Sequence, residues 1–235
     1  MVDFHSHFLP GIDDGADSVE CSLEMLADFK SQGVNTVIAT SHYYDWQGNI
    51  TEFLTRREHS YNKLQQALQR ESMECPDIVL AAEVALTPDI PKMDDLKKLC
   101  IGDSNAIMIE LPYSGYYEWI PYALFEISSK YGLAPVLAHF ERFCTDKKKF
   151  EQYKSLLELD VKVQVNTDSI LDRRSYKIVK KLVKMGAVHV IGSDAHSMRT
   201  RKSNFYEGAK RIEKKFGKDY LLELNNNAKK IINLT

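Results

Sequence analysis

The stretch HVIGSDAH at residues 189–196 shows the repeated pattern from which the fold can be predicted. It begins with a short run of β-branched and small apolar residues and ends in two polar residues, Asp194 and His196. This pattern is typical of a buried strand with functional side chains at its C-terminal end. Six other segments repeat it: VDFH (2–5), VNTVIATSH (34–42), DIVLAAEV (77–84), NAIMIEL (105–111), LAPVLAHF (133–140) and VKVQVN (161–166).

The segments between these strands have helical periodicity. In residues 18–33, SVECSLEMLADFKSQG, Ser18 is a predicted N-cap, apolar residues recur at helical spacing, and Gly33 follows as a stop. Alternation of strand and helix predicts a parallel sheet, and strands that are apolar on both faces are typical of a sheet covered on both sides. We therefore expect one α/β domain over residues 1–235, built as a barrel or a strongly curled sheet.

Composition narrows the functional classes. Lysine and arginine number 31 against 33 aspartates and glutamates, and the net charge of -2 argues against a nucleic-acid or anionic-lipid partner. No apolar stretch is long enough to span a bilayer, and no signal peptide is recognisable, so we expect a cytoplasmic protein without direct membrane insertion. The four cysteines show no CxxC spacing, which favours ordinary reduced thiols.

Acids and histidines concentrate where the predicted strands end. In a parallel β/α barrel these ends open on one face, where active sites form. A lone HxH pair is weak evidence for a metal, but the recurrence of such residues at equivalent points of six strands predicts a metal site. The candidate ligands are His5, His7, Asp14, His42, Glu83, Glu110, His139, Asp194 and His196.

The number of candidate ligands predicts the number of ions. A catalytic ion usually takes about three or four protein ligands, so nine suit two or three divalent ions. Three dications against four carboxylates leave positive charge, which favours a phosphate ester over a neutral substrate. We expect manganese, with iron, zinc or cobalt as alternatives, because mixed imidazole and carboxylate ligands accommodate all of them.

The motifs resemble the PHP (polymerase and histidinol phosphatase) superfamily. The matching residues are HSH (5–7), TSH ending at His42, Glu83, IEL with Glu110, HFER (139–142) and SDAH (193–196). Within it, the chain length, DDG at 13–15, the HxER motif and the late NNNAKKII (225–232) are similar to bacterial protein-tyrosine phosphatases encoded with capsule and exopolysaccharide genes. The resemblance implies a distorted seven-stranded, TIM-like β/α barrel with a trinuclear site.

Carried over position by position, the resemblance implies three ligand groups. His5, His7, Glu83 and Asp194 would hold one ion; Glu83, Glu110 and His139 a second; and Asp14, His42 and His196 the third. Asp13 is expected to support a ligand rather than to bind an ion itself. Arg142 and Arg201 match catalytic positions that face the phosphate, a task suited to the arginine fork.

The activity implied is hydrolysis of phosphotyrosine by a metal-bridging hydroxide, without a cysteine nucleophile. The implied partner is a membrane-bound bacterial tyrosine kinase that regulates capsular or exopolysaccharide synthesis. The alternatives are a small-metabolite phosphomonoesterase, such as a histidinol phosphatase, and a non-catalytic PHP binding module. No oligomeric state is predicted.

The loop LPYSGYYEW (111–119) is more aromatic than the resemblance leads us to expect. Tyr113, Tyr116 and Tyr117, with Trp119, are candidates to line a slot that stacks on the phenyl ring of a substrate. The alternative is that these rings cover the barrel mouth or form an oligomer interface. His59, in a charged helical run, and His189, before the last strand, are expected to have no ligand role.

Overall fold

The computed structural model describes residues 1–234 and contains nine strands, all paired in parallel. The strands are β1 (Val2–Ser6), β2 (Thr36–Ala39), β3 (His42–Tyr43), β4 (Asp77–Leu80), β5 (Glu83–Ala85), β6 (Ala106–Glu110), β7 (Ala134–Leu137), β8 (Lys162–Asn166) and β9 (Val190–Gly192). β1, β2 and β4 are neighbours in one set, and β3, β5, β6, β7, β8 and β9 follow one another in the other.

Nine strands make the expected seven barrel positions because two positions are interrupted. β2 continues as β3 after Thr40 and Ser41, and β4 continues as β5 after Ala81 and Ala82. The register continues across the gap, since β2 pairs with β4 and β3 pairs with β5. Backbone bonds between β1 and the segment after β9 close the circle, with His7 N donating to Ala195 O at 2.8 Å. The distorted, curled α/β barrel expected from the sequence is therefore confirmed.

Residues 1–234 also contain eight α-helices, of which six lie between strands and the last two follow β9. They are α1 (Val19–Ser31), α2 (Ile50–Arg70), α3 (Trp119–Tyr131), α4 (Lys147–Lys154), α5 (Thr167–Leu171), α6 (Ser175–Lys184), α7 (Phe205–Phe216) and α8 (Lys218–Ile231). Short 3-10 helices span Asp45–Gln47, Ile90–Lys92, Leu96–Leu99, Phe140–Phe143 and Ser155–Glu158.

The first helix shows how local sequence sets these elements. The Ser18 side chain accepts a hydrogen bond from Cys21 N and caps α1, as predicted. Leu23, Leu26 and Phe29 face the core, and the turn after the helix ends at Gly33, whose φ of 78° favours glycine.

Close contact between β9 and β1 also depends on glycine. A Cβ added at Gly192 would lie 2.5 Å from the Cβ of His5, too close for any side chain. Gly192 therefore lets the last strand approach the first, and this approach brings the polar ends of both strands together.

Candidate metal centre

The structure gathers all nine candidate ligands at the C-terminal ends of the strands. His5 lies in β1, His42 begins β3, Glu83 begins β5 and Glu110 ends β6. The others follow a strand in the connecting segments: His7 and Asp14 after β1, His139 after β7, and Asp194 and His196 after β9. All are buried or nearly so except Asp14, which comes from the β1–α1 loop and is exposed.

The first ligand group surrounds one oxygen of Glu83. Glu83 Oε2 lies 3.1 Å from His5 Nε2 and 3.2 Å from His7 Nε2. Asp194 Oδ1 lies 3.5 and 3.6 Å from the same two nitrogens. These distances leave the four side chains facing a common point.

Glu83 also belongs to the second group. Its Oε1 lies 2.8 Å from His139 Nε2, which is 3.3 Å from Glu110 Oε1. His42 Nδ1 lies 3.2 Å from Glu83 Oε2, so His42 borders this group as well. Glu83 is thus positioned to bridge two ions.

We call the cluster of the nine candidate ligands the floor of the site. The third group lies where the β1–α1 loop contributes Asp14 to this floor. Asp14 Oδ1 is 3.5 Å from His42 Nε2 and 3.4 Å from His196 Nε2. The ring of His196 stacks on that of His7 at 3.9 Å. Together these four residues form a set whose donor atoms all lie within 4.8 Å of one another.

Hydrogen bonds at the far side of three imidazoles determine which nitrogens face the centre. His5 Nδ1 contacts Gln164 Oε1 at 3.0 Å, and His7 Nδ1 contacts Asp13 Oδ2 at 2.9 Å. His196 Nδ1 contacts the carbonyl of Asp194 at 2.9 Å. Because each partner is an acceptor, each Nδ1 must donate a proton, and in the neutral ring Nε2 then presents a lone pair.

This arrangement fits metal ions. The Nε2 atoms of His5 and His7 lie 3.1 Å apart, where two lone pairs would repel unless a cation or proton lay between them. Within residues 1–234, Glu83 Oε2, His42 Nδ1 and His196 Nε2 are buried without hydrogen-bond partners. Buried acceptors that converge in this way need positive charge, which divalent ions supply.

The pKa shifts have the same cause. Burial opposes protonation of His139, but contacts with Glu110 and Glu83 outweigh it and raise the pKa to about 9. Burial and then the neighbouring His7 lower the pKa of His196 to about 3, so that ring stays neutral. Burial disfavours the charged form of Glu83, yet His5 and the other rings hold its pKa well below the usual range. The floor thus favours carboxylates paired with positive charge.

Arg142 and Arg201 meet at one carboxylate oxygen. Asp194 Oδ2 lies 2.8 Å from Arg142 Nη2 and 2.9 Å from Arg201 Nη2, and it also accepts from Asn166 Nδ2 at 2.9 Å. The other oxygen of Asp194 faces the imidazoles of His5 and His7. Both arginines line the cavity above the floor, where they can reach a bound anion.

Two ligand positions have strained backbone. His139 has φ 32° and Asp194 has φ 54°, a region that residues with a Cβ rarely adopt. Each residue lies two positions after the end of a strand. The surrounding hydrogen bonds hold these conformations, and strain of this kind is concentrated at functional sites.

The structure identifies supporting residues that sequence reasoning missed. Gln164 Oε1 accepts from His139 N at 2.7 Å as well as contacting His5, while its Nε2 donates to Asn166 Oδ1. Gln164 and Asn166 alternate in VKVQVN and so lie on one face of β8. This alternation is the sequence signal by which Gln164 and Asn166 could have been recognised as supporting residues. Asp13, expected to support a ligand, contacts His7 and accepts a hydrogen bond from His42 N.

A cavity of about 790 Å³ opens above the floor. Tyr113, Tyr117 and Trp119 line it, as do Tyr44 and Trp46, which were not predicted. Tyr116 does not line this cavity; its ring packs edge-on against Tyr153 at 5.3 Å. The tyrosines of the 111–119 loop therefore divide between the cavity and the neighbouring core.

None of the four cysteines lines the cavity. Cys100 and Cys144 are buried in the core, and burial raises their pKa values to about 11 and about 12. His59 is exposed on α2, and His189 Nδ1 accepts from Val163 N at 3.1 Å. Across residues 1–234, every helix is too short or too polar to cross a membrane.

Comparisons with known proteins show similarity over the length of the chain. The family model described as "Capsular polysaccharide synthesis, CpsB/CapC" matches residues 1–233. The tyrosine-protein phosphatase CpsB of Streptococcus pneumoniae is 29% identical, over 99% of this chain and 98% of that protein. The tyrosine-protein phosphatase YwqE of Bacillus subtilis is 27% identical, over 99% and 91%.

A solved structure has the same fold. It is one of the crystal structures described for YwqE from Bacillus subtilis and CpsB from Streptococcus pneumoniae, which are called metal-dependent tyrosine phosphatases. The TM-score is 0.87 at 25% identity, and the match covers 100% of this chain and 95% of the other.

Proposed function

Because the chain belongs to the CpsB/CapC family of capsular polysaccharide synthesis proteins, we propose that it is a metal-dependent phosphatase that hydrolyses phosphotyrosine in proteins. One observation is the main support: nine candidate metal ligands cluster at the strand ends, and six of them line a single cavity together with two arginines. The names and activities of CpsB and YwqE point to the same chemistry.

We assign the ions to the three ligand groups already described. Two or three divalent ions per chain fit these groups, with manganese first and iron, zinc or cobalt as alternatives. Bound ions would lower the pKa of water, so that it can attack phosphorus at neutral pH, and would neutralise charge on the transferred phosphoryl group. Glu83 contributes one oxygen to each of two groups and so keeps them close together.

The arginines act on the phosphate. Each guanidinium has five N–H donors, so Arg142 and Arg201 can stay bonded to Asp194 while other donors bind phosphate oxygens. The hydroxyl of Tyr113 lies beside Arg142 and restricts where that guanidinium can point. Hydrolysis consumes one water, breaks the bond between phosphorus and the tyrosine oxygen, and releases tyrosine and phosphate.

We also propose the biological setting. Residues 1–235 act as a single domain in the cytoplasm, and the substrate is a phosphotyrosine protein, a membrane-bound bacterial tyrosine kinase. The description of the family as capsular polysaccharide synthesis proteins and the phosphatase names of its members support this setting. The balanced charge of the chain argues against nucleic acid as a partner.

Metal removal tests the proposed function. Purified protein is assayed on a phosphotyrosine peptide and on histidinol phosphate, before and after chelation and after each metal is added back, with metal content measured in parallel. We expect two to three ions per chain, preference for the peptide, loss of activity on chelation, and insensitivity to thiol alkylation. Activity that survives complete metal removal, or preference for histidinol phosphate, would contradict the proposal.

A further inference from the structure

The first row of rings begins at a metal ligand. In SHYYDW (41–46), the ring of Tyr44 stacks on His42 at 5.1 Å, and Trp46 stacks on Tyr44 at 4.7 Å. Tyr43 points the other way into the core, where it packs against Phe53. Alternate residues thus form a row that leads from the floor outward, and Trp46 at its outer end is 65% exposed.

A second row begins at another ligand. Tyr113, which follows β6, stacks on His139 at 6.0 Å with an angle of 23° between the rings. Farther along the same loop, Tyr117 stacks on Trp119 at 5.9 Å. β3 and β6 are the two neighbours of β5, so the two rows stand on either side of the strand that begins with Glu83.

The two rows give the cavity a charged floor and uncharged walls. Among the described residues, its charged lining side chains are Asp14, Glu83, Glu110, Asp194 and the two arginines, all of them at the floor. The walls consist of the rings together with residues such as Leu86 and Pro112. Tyr113 is 63% exposed despite its large ring. Exposed apolar surface of this kind marks binding sites.

The geometry points to a two-part specificity site, an inference that rests on the proposed phosphatase function. We propose that Tyr44 and Tyr113, the rings nearest the floor, hold the phenyl ring of phosphotyrosine while its phosphate lies at the metal centre. Trp46, Tyr117 and Trp119 then contact an apolar side chain next to the phosphotyrosine. Aromatic rings attract one another in stacked and edge-on arrangements, which a serine or threonine phosphate cannot form.

Tyr44 provides the test of the inner rings. Tyr44→Leu keeps an apolar side chain but removes the ring, whereas Tyr44→Phe keeps the ring. We expect Tyr44→Leu to lower the ratio of kcat/KM for a phosphotyrosine peptide to that for the matched phosphoserine peptide about two- to tenfold, mainly through KM. Tyr44→Phe should restore the ratio, and metal content and inhibition by inorganic phosphate should stay at the wild-type level.

Trp46 provides the test of the outer rings. We expect Trp46→Ala to raise KM about two- to tenfold for a phosphotyrosine peptide with leucine neighbours, and to have little effect for one with glycine neighbours. The matched control is Tyr122→Ala, which removes a 73% exposed ring on α3 that does not line the cavity.

The outcomes separate this inference from the proposed function. If wild-type protein cleaves the phosphotyrosine peptide in a metal-dependent way but Tyr44→Leu and Trp46→Ala behave like Tyr122→Ala, the rings do not determine specificity and the inference is wrong. The same holds if Tyr44→Leu lowers turnover of both peptides equally, since that indicates damage to the floor. A wild-type protein without activity on the peptide would contradict both.

Discussion

The floor and the mouth of the cavity are built on different physical principles. At the floor, buried polar side chains hold one another in place, as Gln164 does by bonding both His5 and His139. At the mouth, the outer ring of Trp46 stacks on Tyr44 alone and remains largely exposed. Buried charges require exact pairing, whereas ring stacking tolerates substitution. We therefore expect conservative substitutions to lower activity more at the floor than at the mouth.

The largest effect is expected from Glu83→Gln, which keeps the shape but removes the charge shared by two ligand groups. Loss of a supporting residue typically weakens a metal site about 10–100-fold, so loss of this ligand should lower kcat/KM by about 1000-fold or more. Metal content and steady-state kinetics measure it. Glu58→Gln, an exposed change on α2, is the control. Near-normal metal content in Glu83→Gln would show that the groups do not depend on a shared carboxylate.

A smaller effect is expected from Gln164, which contacts His5 and the backbone of His139 but is not itself a candidate ligand. Gln164→Met fills the same space but removes the oxygen that orients His5 and bonds His139 N. We expect metal affinity to fall about 10–100-fold, while the folded structure by circular dichroism is retained. Competition with a chromogenic chelator gives the affinity. Unchanged affinity would mean that β1 alone orients His5.

The third prediction concerns stability against pH in chelated protein. The pKa of His139 is raised to about 9 because Glu110 and Glu83 outweigh burial, so its proton stabilises the folded state below the unfolded value near 6.5. That contribution is lost as pH rises toward 9, so the free energy of unfolding should fall by about 1–2 kcal/mol across this window.

Denaturant titrations at several pH values measure this change, with metal-loaded protein as the control. Bound ions replace the proton, so the loaded protein should show a much weaker dependence. The mouth has no comparable charge, and Trp46→Ala should give the same pH profile as wild type. Equal profiles for chelated and loaded protein would contradict the assigned floor electrostatics.

The sequence predicted the floor better than the mouth. Ligands such as Glu83 and Asp194 could be found because acids at strand ends stand out against apolar runs. Gln164 was missed because its alternation with Asn166 in VKVQVN is a weak signal that is also typical of an ordinary strand. The interruption at Ala81 and Ala82 was also missed, since an apolar run continues across it.

The positions of the aromatic rings in the cavity walls could not be predicted from the local sequence pattern. Tyr44 and Trp46 lie past the strand predicted over residues 34–42, so the strand pattern did not indicate their position beside His42. Tyr113 and Tyr116 belong to the same aromatic stretch, and the sequence does not show which of them lines the cavity. In the structure Tyr113 lines it, whereas Tyr116 packs against Tyr153. Which tyrosine of a loop turns inward depends on contacts made by distant elements, here the end of α4.

The two oxygens of Asp194 have a consequence for how such a site can evolve. One oxygen faces imidazoles of the metal centre, and the other holds both Arg142 and Arg201. Under the proposed function, substitution of this carboxylate would weaken ion binding and phosphate binding in one step. Substitution of the arginines would leave a charged oxygen without its two strongest donors. The proposed ion and anion sites would therefore change together during evolution, whereas the rings of the mouth could change without them.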